Sequence, residues 1–387
     1  MTAIDPQSLR GDWSYPTRVR FGPGRIVELA EACGALGMAR PLMVTDPGLA
    51  EHALGRRVLE IARHAGLACE MFAAIRPNPT GTDVERGVEA LRQGGHDGVI
   101  ALGGGSGLDA AKAIAFMAGQ TRPLWDFEDK GDNWLRASSE GILPVVAVPT
   151  TAGTGSEVGR AAVITREADH TKCIVFHPKM LPGQVIADPE LTLDLPGNLT
   201  AWTGFDALSH NLEALCAPGF HPLADGIATE GIRLIHQWFR AAALDGADLA
   251  ARAYMLAAAS MGAIAFQKGL GAMHALAHPI GGLLDSHHGL TIAIVMPYVL
   301  ARNRPAIEDR LAQLERTLGI EPGGFLPWVG GLRQELEIPP TLAALGMSAG
   351  QVALLAPRAA ADPSAAGNPI ALAESDYALL YRRALTG

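Results

Sequence analysis

Cysteine is scarce in this chain of 387 residues. Its four cysteines, Cys33, Cys69, Cys173 and Cys216, are widely separated and form no CxxC pair. This spacing excludes a disulfide framework and a thiolate metal site. We therefore expect ordinary buried thiols in a reducing cytoplasm.

The chain also lacks any concentration of basic charge. The net charge is −9, and acidic and basic residues are mixed along the sequence, which excludes a nucleic-acid footprint and a polybasic membrane patch. The opening residues MTAIDPQSLRGDW contain no basic segment followed by an apolar core, so we expect no secretory signal. The most membrane-like run, Leu249 to Phe266, includes Arg252 and lacks flanking anchors, which favours a buried core helix. A soluble protein acting on small molecules is predicted.

The length and the apolar fraction of 48% predict a well-buried globular protein with two domains or one large one. Between Arg18 and about Asp188, short apolar runs alternate with helical stretches, which is typical of a parallel α/β unit. The predicted elements are strands at 41–46 and 67–72, helices at 48–65 and 82–93, and a strand, glycine loop and helix over 97–118. An exposed strand near Val19 to Phe21 could pair with a second subunit.

Beyond Thr200 the sequence is rich in Ala and Leu at helical spacing. Breaks are expected near Pro218, Gly269 to Gly271, Gly281 and Pro297. We predict an α/β dinucleotide-binding domain with a parallel sheet at 1–190, and an all-helical metal-binding domain at 191–387.

Three consecutive glycines, Gly103, Gly104 and Gly105, follow an apolar strand and precede a helix. Glycines let the backbone turn sharply, and the helix N-terminus offers free N–H groups to a phosphate, so a dinucleotide pyrophosphate fits there. The GxGxxG fingerprint is incomplete, because Leu108 stands at the third glycine position. A tight strand-to-helix turn without a ligand is the alternative.

A second small-residue loop, PTTAGTGSE at 149–157, follows the apolar strand ILPVVAV. Ligand crevices open where parallel strands end, so this loop suits the other side of a nucleotide site. The alternative is a turn rich in Ser and Thr that caps a helix.

Metal-ligating side chains recur at helical spacing in the second half of the chain. Asp206 and His210 are four residues apart, His274 and His278 repeat that spacing, and two histidines follow a glycine-broken turn. Residues four apart lie on one face of a helix, and a carboxylate with several imidazoles suits a catalytic divalent ion. A satisfied pair in the core or on the surface is the other interpretation.

The segments FDALSHNLEA and HALAHPIGGLLDSHHG resemble the two signature regions of the iron-containing (group III) alcohol dehydrogenase family, GxDALxHxxEA and HxxAHxxGxxxxxxHG. The loops described above resemble that family's GGGSxxDxAK and PTTxGTGSE segments, with Gly107 in place of the usual Pro. The resemblance implies four metal ligands: Asp206, His210, His274 and His288. It also implies that His278 relays a proton close to the metal and that His287 is not a ligand.

The same resemblance implies the contacts of a nicotinamide cofactor. Asp46 would hydrogen-bond the adenosine ribose, Asn78 would lie beside the cofactor, and Lys172 would reach the nicotinamide ribose. The Asp46 carboxylate would repel a 2′-phosphate, which favours NAD over NADP. The remaining implied cofactor residues are Gly104, Gly105, Ser106, Asp109, Thr150, Thr151, Thr154 and Ser156.

The expected reaction is hydride transfer between the nicotinamide and an alcohol or aldehyde, with the metal as Lewis acid where the two halves meet. Three imidazoles and a carboxylate suit Fe(II), Zn or Co. We expect Fe(II), with zinc as the second choice.

Two basic residues border these segments, Arg160 and Lys268. Either could pair with the carboxylate of an ω-hydroxy acid such as 4-hydroxybutyrate or of its semialdehyde. Alternatively, both are surface charges or pair with nearby acidic residues.

Other functions remain open at this point. A non-redox lyase of the dehydroquinate synthase type also uses NAD and a metal, and a glycerol dehydrogenase-like zinc enzyme is a nearer alternative. A metal or nucleotide sensor is a third. The family resemblance further implies a homodimer or larger homo-oligomer.

Overall fold

The computed structural model describes residues 11–14 and 17–387. Their chain forms two compact units. The first extends to Thr151 and resumes at Gly155–Asp194; the second comprises Ala152–Thr154 and Leu195–Gly387. Part of the second small-residue loop therefore belongs to the second unit.

The first unit is built on a sheet. Its strands in chain order are β1 (Gly11–Ser14), β2 (Arg18–Phe21), β3 (Pro41–Val44), β4 (Glu70–Phe72), β5 (Gly98–Gly103), β6 (Val145–Pro149), β7 (Ala161–Arg166), β8 (Thr171–Phe176) and β9 (Gln184–Ala187). Seven of the described strands form one sheet in the order β1-β2-β9-β6-β5-β3-β4, parallel except for β1. Strands β7 and β8 pair separately as an antiparallel hairpin. The parallel α/β prediction is confirmed.

Strands β5 and β6 are buried along their whole length. Continuous apolar runs of this kind are typical of parallel strands covered on both faces. The helices of this unit are α1 (Leu29–Gly34), α2 (Pro47–Glu51), α3 (Ala53–His64), α4 (Gly81–Gln93) and α5 (Gly105–Met117). Helix α5, which follows the glycine loop, is itself largely buried, so the loop is held by the core of the unit.

Two details of the predicted α/β unit are wrong. The helix expected at 48–65 is interrupted at His52, whose backbone is extended and whose Nδ1 accepts a hydrogen bond from Leu54 N to begin α3. The strand expected to pair across subunits, β2, is not a free edge, because it lies between β1 and β9.

The second unit consists of helices, as predicted. These are α6 (Gly197–Cys216), α7 (Pro222–Leu244), α8 (Leu249–Ala265), α9 (Ala272–Leu284), α10 (His288–Leu318), α11 (Phe325–Glu335), α12 (Val352–Ala360) and α13 (Glu374–Thr386). Two expected breaks do not occur, since α9 continues through Gly281 and α10 through Pro297. Burial of both segments in the shared core outweighs the weak helix propensity of Gly and Pro.

Helix α8 and the turn after it, Leu249–Lys268, form the one helical segment of the described residues that is long and apolar enough to cross a membrane. Most of its side chains are buried against neighbouring helices. Its Arg252 is inside as well, where Nη1 donates to Thr200 Oγ1 and Nη2 to Leu195 O. The prediction of a core helix is confirmed.

Candidate metal centre and nucleotide loops

Helix α6 presents a row of charged and polar groups inside the second unit. Asp206, His210 and Glu213 follow one another at spacings of four and three residues, which places them on one face. All three are buried, with exposures of 3%, 5% and 6%. A buried polar face needs partners, and these lie on other helices.

Helix α9 brings the next histidine against this face. Its first turn has no capping side chain of its own at Gly271. Instead, Ala272 N donates to Asn368 Oδ1 and Met273 N donates to Glu213 Oε1, at 3.2 and 2.7 Å. A Cβ at Gly271 would lie 2.9 Å from Glu213 Oε1, so glycine permits this close approach.

Three candidate ligand atoms, on Asp206, His210 and His274, lie within 4.8 Å of one another, and His288 approaches Asp206. Asp206 Oδ1 lies 3.4 Å from His288 Nε2, 3.7 Å from His274 Nε2 and 3.8 Å from His210 Nε2. Ligand atoms about 2.1 Å from one ion in a tetrahedron are separated by about 3.4 Å. The ligands implied by the family resemblance are therefore brought together by α6, α9 and the start of α10.

The chemistry of this cluster fits a divalent cation. Among the described residues, neither Asp206 Oδ1 nor His274 Nε2 has a hydrogen-bond partner, although both atoms are buried. Unsatisfied buried acceptors are costly, and a bound cation would satisfy them. One carboxylate and three imidazoles suit Fe(II) or zinc.

The protonation of the two buried histidines agrees with this fit. Burial lowers the pKa of His210 to about 4, against the attraction of Asp206, so its ring is neutral at neutral pH and can act as a ligand. Burial also acts to lower the pKa of His274, but the charge and hydrogen bond of Glu213 raise it above its ordinary value. The carboxylate of Glu213 thus favours a positive charge at His274, which a bound cation would supply in place of a proton.

His278 lies beside the cluster without belonging to it. Its ring is stacked on that of His288, with centroids 5.4 Å apart, and lies 5.8 Å from that of His274. Its Nδ1 is 2.9 Å from Asp362 Oδ2. Burial acts to raise the pKa of Asp362, but His278 lowers it below its ordinary value, so the carboxylate is ionised.

His287 contacts an aromatic ring rather than the cluster. Its ring centroid is 5.0 Å from that of Trp202, which lies one turn before Asp206 on α6. The half-buried indole of Trp202 thus lies close to the proposed metal ligands.

The glycine loop of the first unit turns sharply from β5 into α5. Gly103 has a φ of 145°, and α5 begins after Gly104 with no side chain capping it. A Cβ on Gly104 would lie 3.1 Å from Thr151 Cγ2, so the two small-residue loops approach each other closely. Thr150 N donates to Gly103 O at 3.0 Å, which joins them further.

Several residues predicted to bind the cofactor form hydrogen bonds with other parts of the protein. Asp46 Oδ1 caps α2 by accepting from Leu49 N, while Oδ2 lies 4.0 Å from where a Cβ on Gly103 would be. Ser106 Oγ donates to Pro77 O, next to Asn78. Asp46 is therefore at the glycine loop, where an adenosine ribose could reach it.

Asp109 holds the second loop in place. It accepts hydrogen bonds from Ser156 Oγ and Val163 N and lies 3.1 Å from Lys112 Nζ. These contacts give Asp109 and Ser156 a structural role beneath the loops. Lys172 lies on β8 opposite Thr165.

The two basic residues proposed for substrate binding have different surroundings. Lys268 Nζ is buried, donates to Leu215 O at 3.2 Å and forms an ion pair with Asp225. Arg160 is exposed, with its guanidinium over the ring of Phe176. The alternative of pairing with a nearby acidic residue thus describes Lys268.

Comparison with known proteins identifies the family. The family described as iron-containing alcohol dehydrogenase matches residues 16–189, and its C-terminal region, Fe-containing alcohol dehydrogenase family, C-terminal, matches residues 200–385. The chain belongs to the iron-containing alcohol dehydrogenase family. It is an alcohol dehydrogenase, and its substrates are small alcohols or aldehydes.

Curated relatives within this family cover almost the whole chain. It is 36% identical to 4-hydroxybutyrate dehydrogenase of Cupriavidus necator, over 96% of this chain and 99% of that protein. It is 34% identical to NAD-dependent methanol dehydrogenase of Bacillus methanolicus, over 94% and 97%.

The solved structures agree with this assignment. A crystal structure of 1,3-propanediol oxidoreductase superposes with a TM-score of 0.89 at 33% identity, covering 95% of this chain and 97% of that one. Sulfoacetaldehyde reductase from Bifidobacterium kashiwanohense, in complex with NAD⁺, superposes with a TM-score of 0.86 at 27% identity, over 96% and 97%.

The sequence motifs contain Glu213 but did not reveal the supporting role of Glu213, Asp362 and Asn368 at this candidate metal site. Glu213 lies three residues after His210, so the helical spacing already places it on the ligand face. Asp362 comes from a distant segment and carries no local signal, whereas Asn368 opens the segment NPI at 368–370, which resembles the family near its C-terminal end. Their contacts follow only from the packing of the helices.

Proposed function

We propose that this enzyme is an NAD(H)- and metal-dependent dehydrogenase that interconverts an ω-hydroxy acid, such as 4-hydroxybutyrate, and its semialdehyde. The convergence of Asp206, His210 and His274 carries the metal part of this proposal, because their ligand atoms all lie within 4.8 Å of one another. His288 completes the set at 3.4 Å from Asp206.

A divalent ion held by Asp206, His210, His274 and His288 would supply Lewis acidity toward a carbonyl oxygen, and we propose Fe(II) first and zinc second. The chain itself contributes a largely buried donor set. Asp206 supplies the negative charge, and Glu213 holds His274 by its Nδ1. His278 is next to the ligands and is proposed to exchange the proton that accompanies hydride transfer.

We propose NAD as the hydride carrier, held by the glycine loop. The uncapped start of α5 supplies N–H groups for the pyrophosphate, and the carboxylate of Asp46 disfavours a 2′-phosphate. The relatives named as NAD-dependent or solved with NAD⁺ support this choice.

For the substrate carboxylate we propose Arg160. Its guanidinium is exposed and has an aromatic contact, whereas Lys268 is occupied by Asp225. The relative named 4-hydroxybutyrate dehydrogenase supports a carboxylated substrate.

The test compares wild type and Arg160→Ala with propanal and with succinic semialdehyde, following NADH absorbance. We expect Arg160→Ala to raise the KM for succinic semialdehyde about 10-fold or more and to leave that for propanal unchanged, because only the former presents a carboxylate. The matched control is Arg136→Ala, an exposed arginine of the same unit. An unchanged KM for succinic semialdehyde would refute the role of Arg160.

The metal is tested by stripping the protein and reloading it with Fe(II) or Zn(II). Turnover that depends on the added ion supports the proposal, and NADH binding without turnover under both conditions contradicts it. A cytoplasmic homo-oligomer remains part of the proposal, and light scattering of the purified protein measures its assembly state.

A further inference from the structure

Asp362 approaches His278 from a segment 84 residues further along the chain. The two side chains are 8% and 10% exposed, and Asp362 Oδ2 is 2.9 Å from His278 Nδ1. We propose that Asp362 is a positioning residue that fixes the tautomer and the orientation of His278 for proton transfer. This inference rests on the proposed role of His278 in the dehydrogenase reaction.

The position of Asp362 is itself determined by the backbone. Its Oδ1 accepts a hydrogen bond from Ser364 N at 2.8 Å and caps the short 3₁₀ helix Pro363–Gly367. The other carboxylate oxygen is thereby directed to His278. A carboxylate held at both oxygens can orient an imidazole without large movements of its own.

The hydrogen bond determines which nitrogen of His278 carries the proton. A carboxylate only accepts hydrogen bonds, so Nδ1 must be the donor. In the neutral ring, Nε2 is then the acceptor. The ring also stacks on that of His288, one of the proposed metal ligands, which limits its rotation.

A neutral His278 that accepts at Nε2 can take up the proton that alcohol oxidation releases. The alcohol carbon loses a hydride to NAD⁺, the hydroxyl loses its proton to His278 Nε2, and the products are an aldehyde, NADH and an imidazolium ring. Asp362 stabilises that positive charge. In reduction the proton returns from Nε2 to the oxygen as hydride reaches the carbon.

The decisive variant is Asp362→Asn. Its Oδ1 retains the cap on Ser364 N, so we expect the fold to persist. Its amide group, however, donates toward His278 Nδ1 and selects the opposite tautomer, with the proton on Nε2. We expect kcat for aldehyde reduction and alcohol oxidation to fall about 100-fold, with little change in the KM for NADH.

Two readouts distinguish this role from a structural one. The solvent deuterium isotope effect on kcat should rise in Asp362→Asn, because proton transfer becomes slower relative to hydride transfer. In the zinc-loaded protein with ¹⁵N-labelled histidine, the protonated nitrogen of His278 should change from Nδ1 to Nε2. The signal is assigned by its loss in His278→Gln.

A double-mutant cycle gives the sharpest test. If Asp362 acts through His278, Asp362→Asn costs nothing more in a His278→Gln background. The matched control is Asp248→Asn, which alters the carboxylate that caps α8 through Ala251 N and should leave kcat unchanged.

The inference is overturned if Asp362→Asn retains wild-type kcat, if its effect adds fully to that of His278→Gln, or if the tautomer does not change. These outcomes are independent of the proposed substrate. Propanal and succinic semialdehyde are assayed in parallel, so an error in substrate assignment is visible in the wild type and an error about Asp362 is visible in the variants.

Discussion

Glu213 and His274 form the tightest polar contact of the metal cluster, with Glu213 Oε2 2.6 Å from His274 Nδ1. The other oxygen of the same carboxylate accepts from Met273 N at 2.7 Å. One side chain of α6 thus fixes both the first turn of α9 and the ring that α9 supplies. The His274 Nε2 atom is consequently directed at Asp206.

We predict that Glu213→Gln weakens metal binding about 10- to 100-fold, the usual effect of losing a carboxylate that orients a ligand histidine. The neutral amide keeps the size of the side chain but removes the charge that favours a cation at His274. Competition with a chelator of known affinity at fixed pH measures the change. Glu230→Gln, which affects a surface pair with Arg233, serves as the control and should bind metal as wild type does.

Removing Lys268 from its ion pair with Asp225 should lower the stability of the protein. Lys268→Met leaves Asp225, which is 30% exposed and 3.5 Å from Arg310, without its closest partner. We expect about 2 kcal/mol of destabilisation, below the roughly 3–5 kcal/mol typical of a fully buried pair.

Thermal unfolding measures this loss. Lys130→Met removes a side chain that is 65% exposed in its pair with Glu128, so it should change stability by less than about 0.5 kcal/mol. The KM of Lys268→Met for succinic semialdehyde should match that of wild type. A selective increase in this KM would instead return Lys268 to the substrate site.

The buried thiols predict a decline of stability at alkaline pH. Burial raises the pKa of Cys33 and of Cys216 to about 12, from an ordinary value of 9.0. The folded protein therefore keeps thiol protons that the unfolded chain releases above pH 9. The contribution of each buried thiol to the free energy of unfolding is complete below pH 9 and is lost as pH rises toward 12. The loss is about 1.4 kcal/mol per pH unit for each thiol.

Urea unfolding at pH 8 to 10 tests this expectation. Cys216→Ala should show a shallower decline of stability with pH than wild type, whatever its stability at pH 8. Equal slopes for both proteins would show that Cys216 does not contribute. Native protein should also react slowly with a thiol reagent until it unfolds.

Two glycines in helices are expected to respond in opposite ways to alanine. A Cβ on Gly289 would overlap the backbone oxygen of Trp202, next to the ligand His288, so Gly289→Ala should lower both stability and metal affinity. A Cβ on Gly226 of α7 would meet no atom within 4 Å, so Gly226→Ala should raise stability by up to about 1 kcal/mol. Calorimetry of both variants gives the comparison.

Local patterns predicted the elements of this fold well where they also determine packing. The strand, glycine loop and helix at 97–118 are found as β5, a turn and α5, because a buried apolar run and three glycines permit few other conformations. The helix at 48–65 is predicted as continuous, since nothing in its apolar spacing reveals that His52 caps a new helix with its own ring nitrogen.

For the metal cluster, too, the sequence predicts local spacing but not tertiary contacts. The spacing of Asp206 and His210 indicates a shared helix face, but it does not bring His288 within 3.4 Å of Asp206. That contact depends on how α10 begins against α6, where Gly289 meets the backbone at Trp202. Asp362 reaches His278 through tertiary packing alone, which no periodicity encodes.

The proposed ligands of the metal cluster lie on three separate helices of the second unit, α6, α9 and the N-terminus of α10. An ion held by all three would act as a cross-link among them, in addition to any chemistry. Its binding free energy would then add to the folding free energy of that unit by mass action. Metal supply would set how long the enzyme survives in the cell as well as how fast it works.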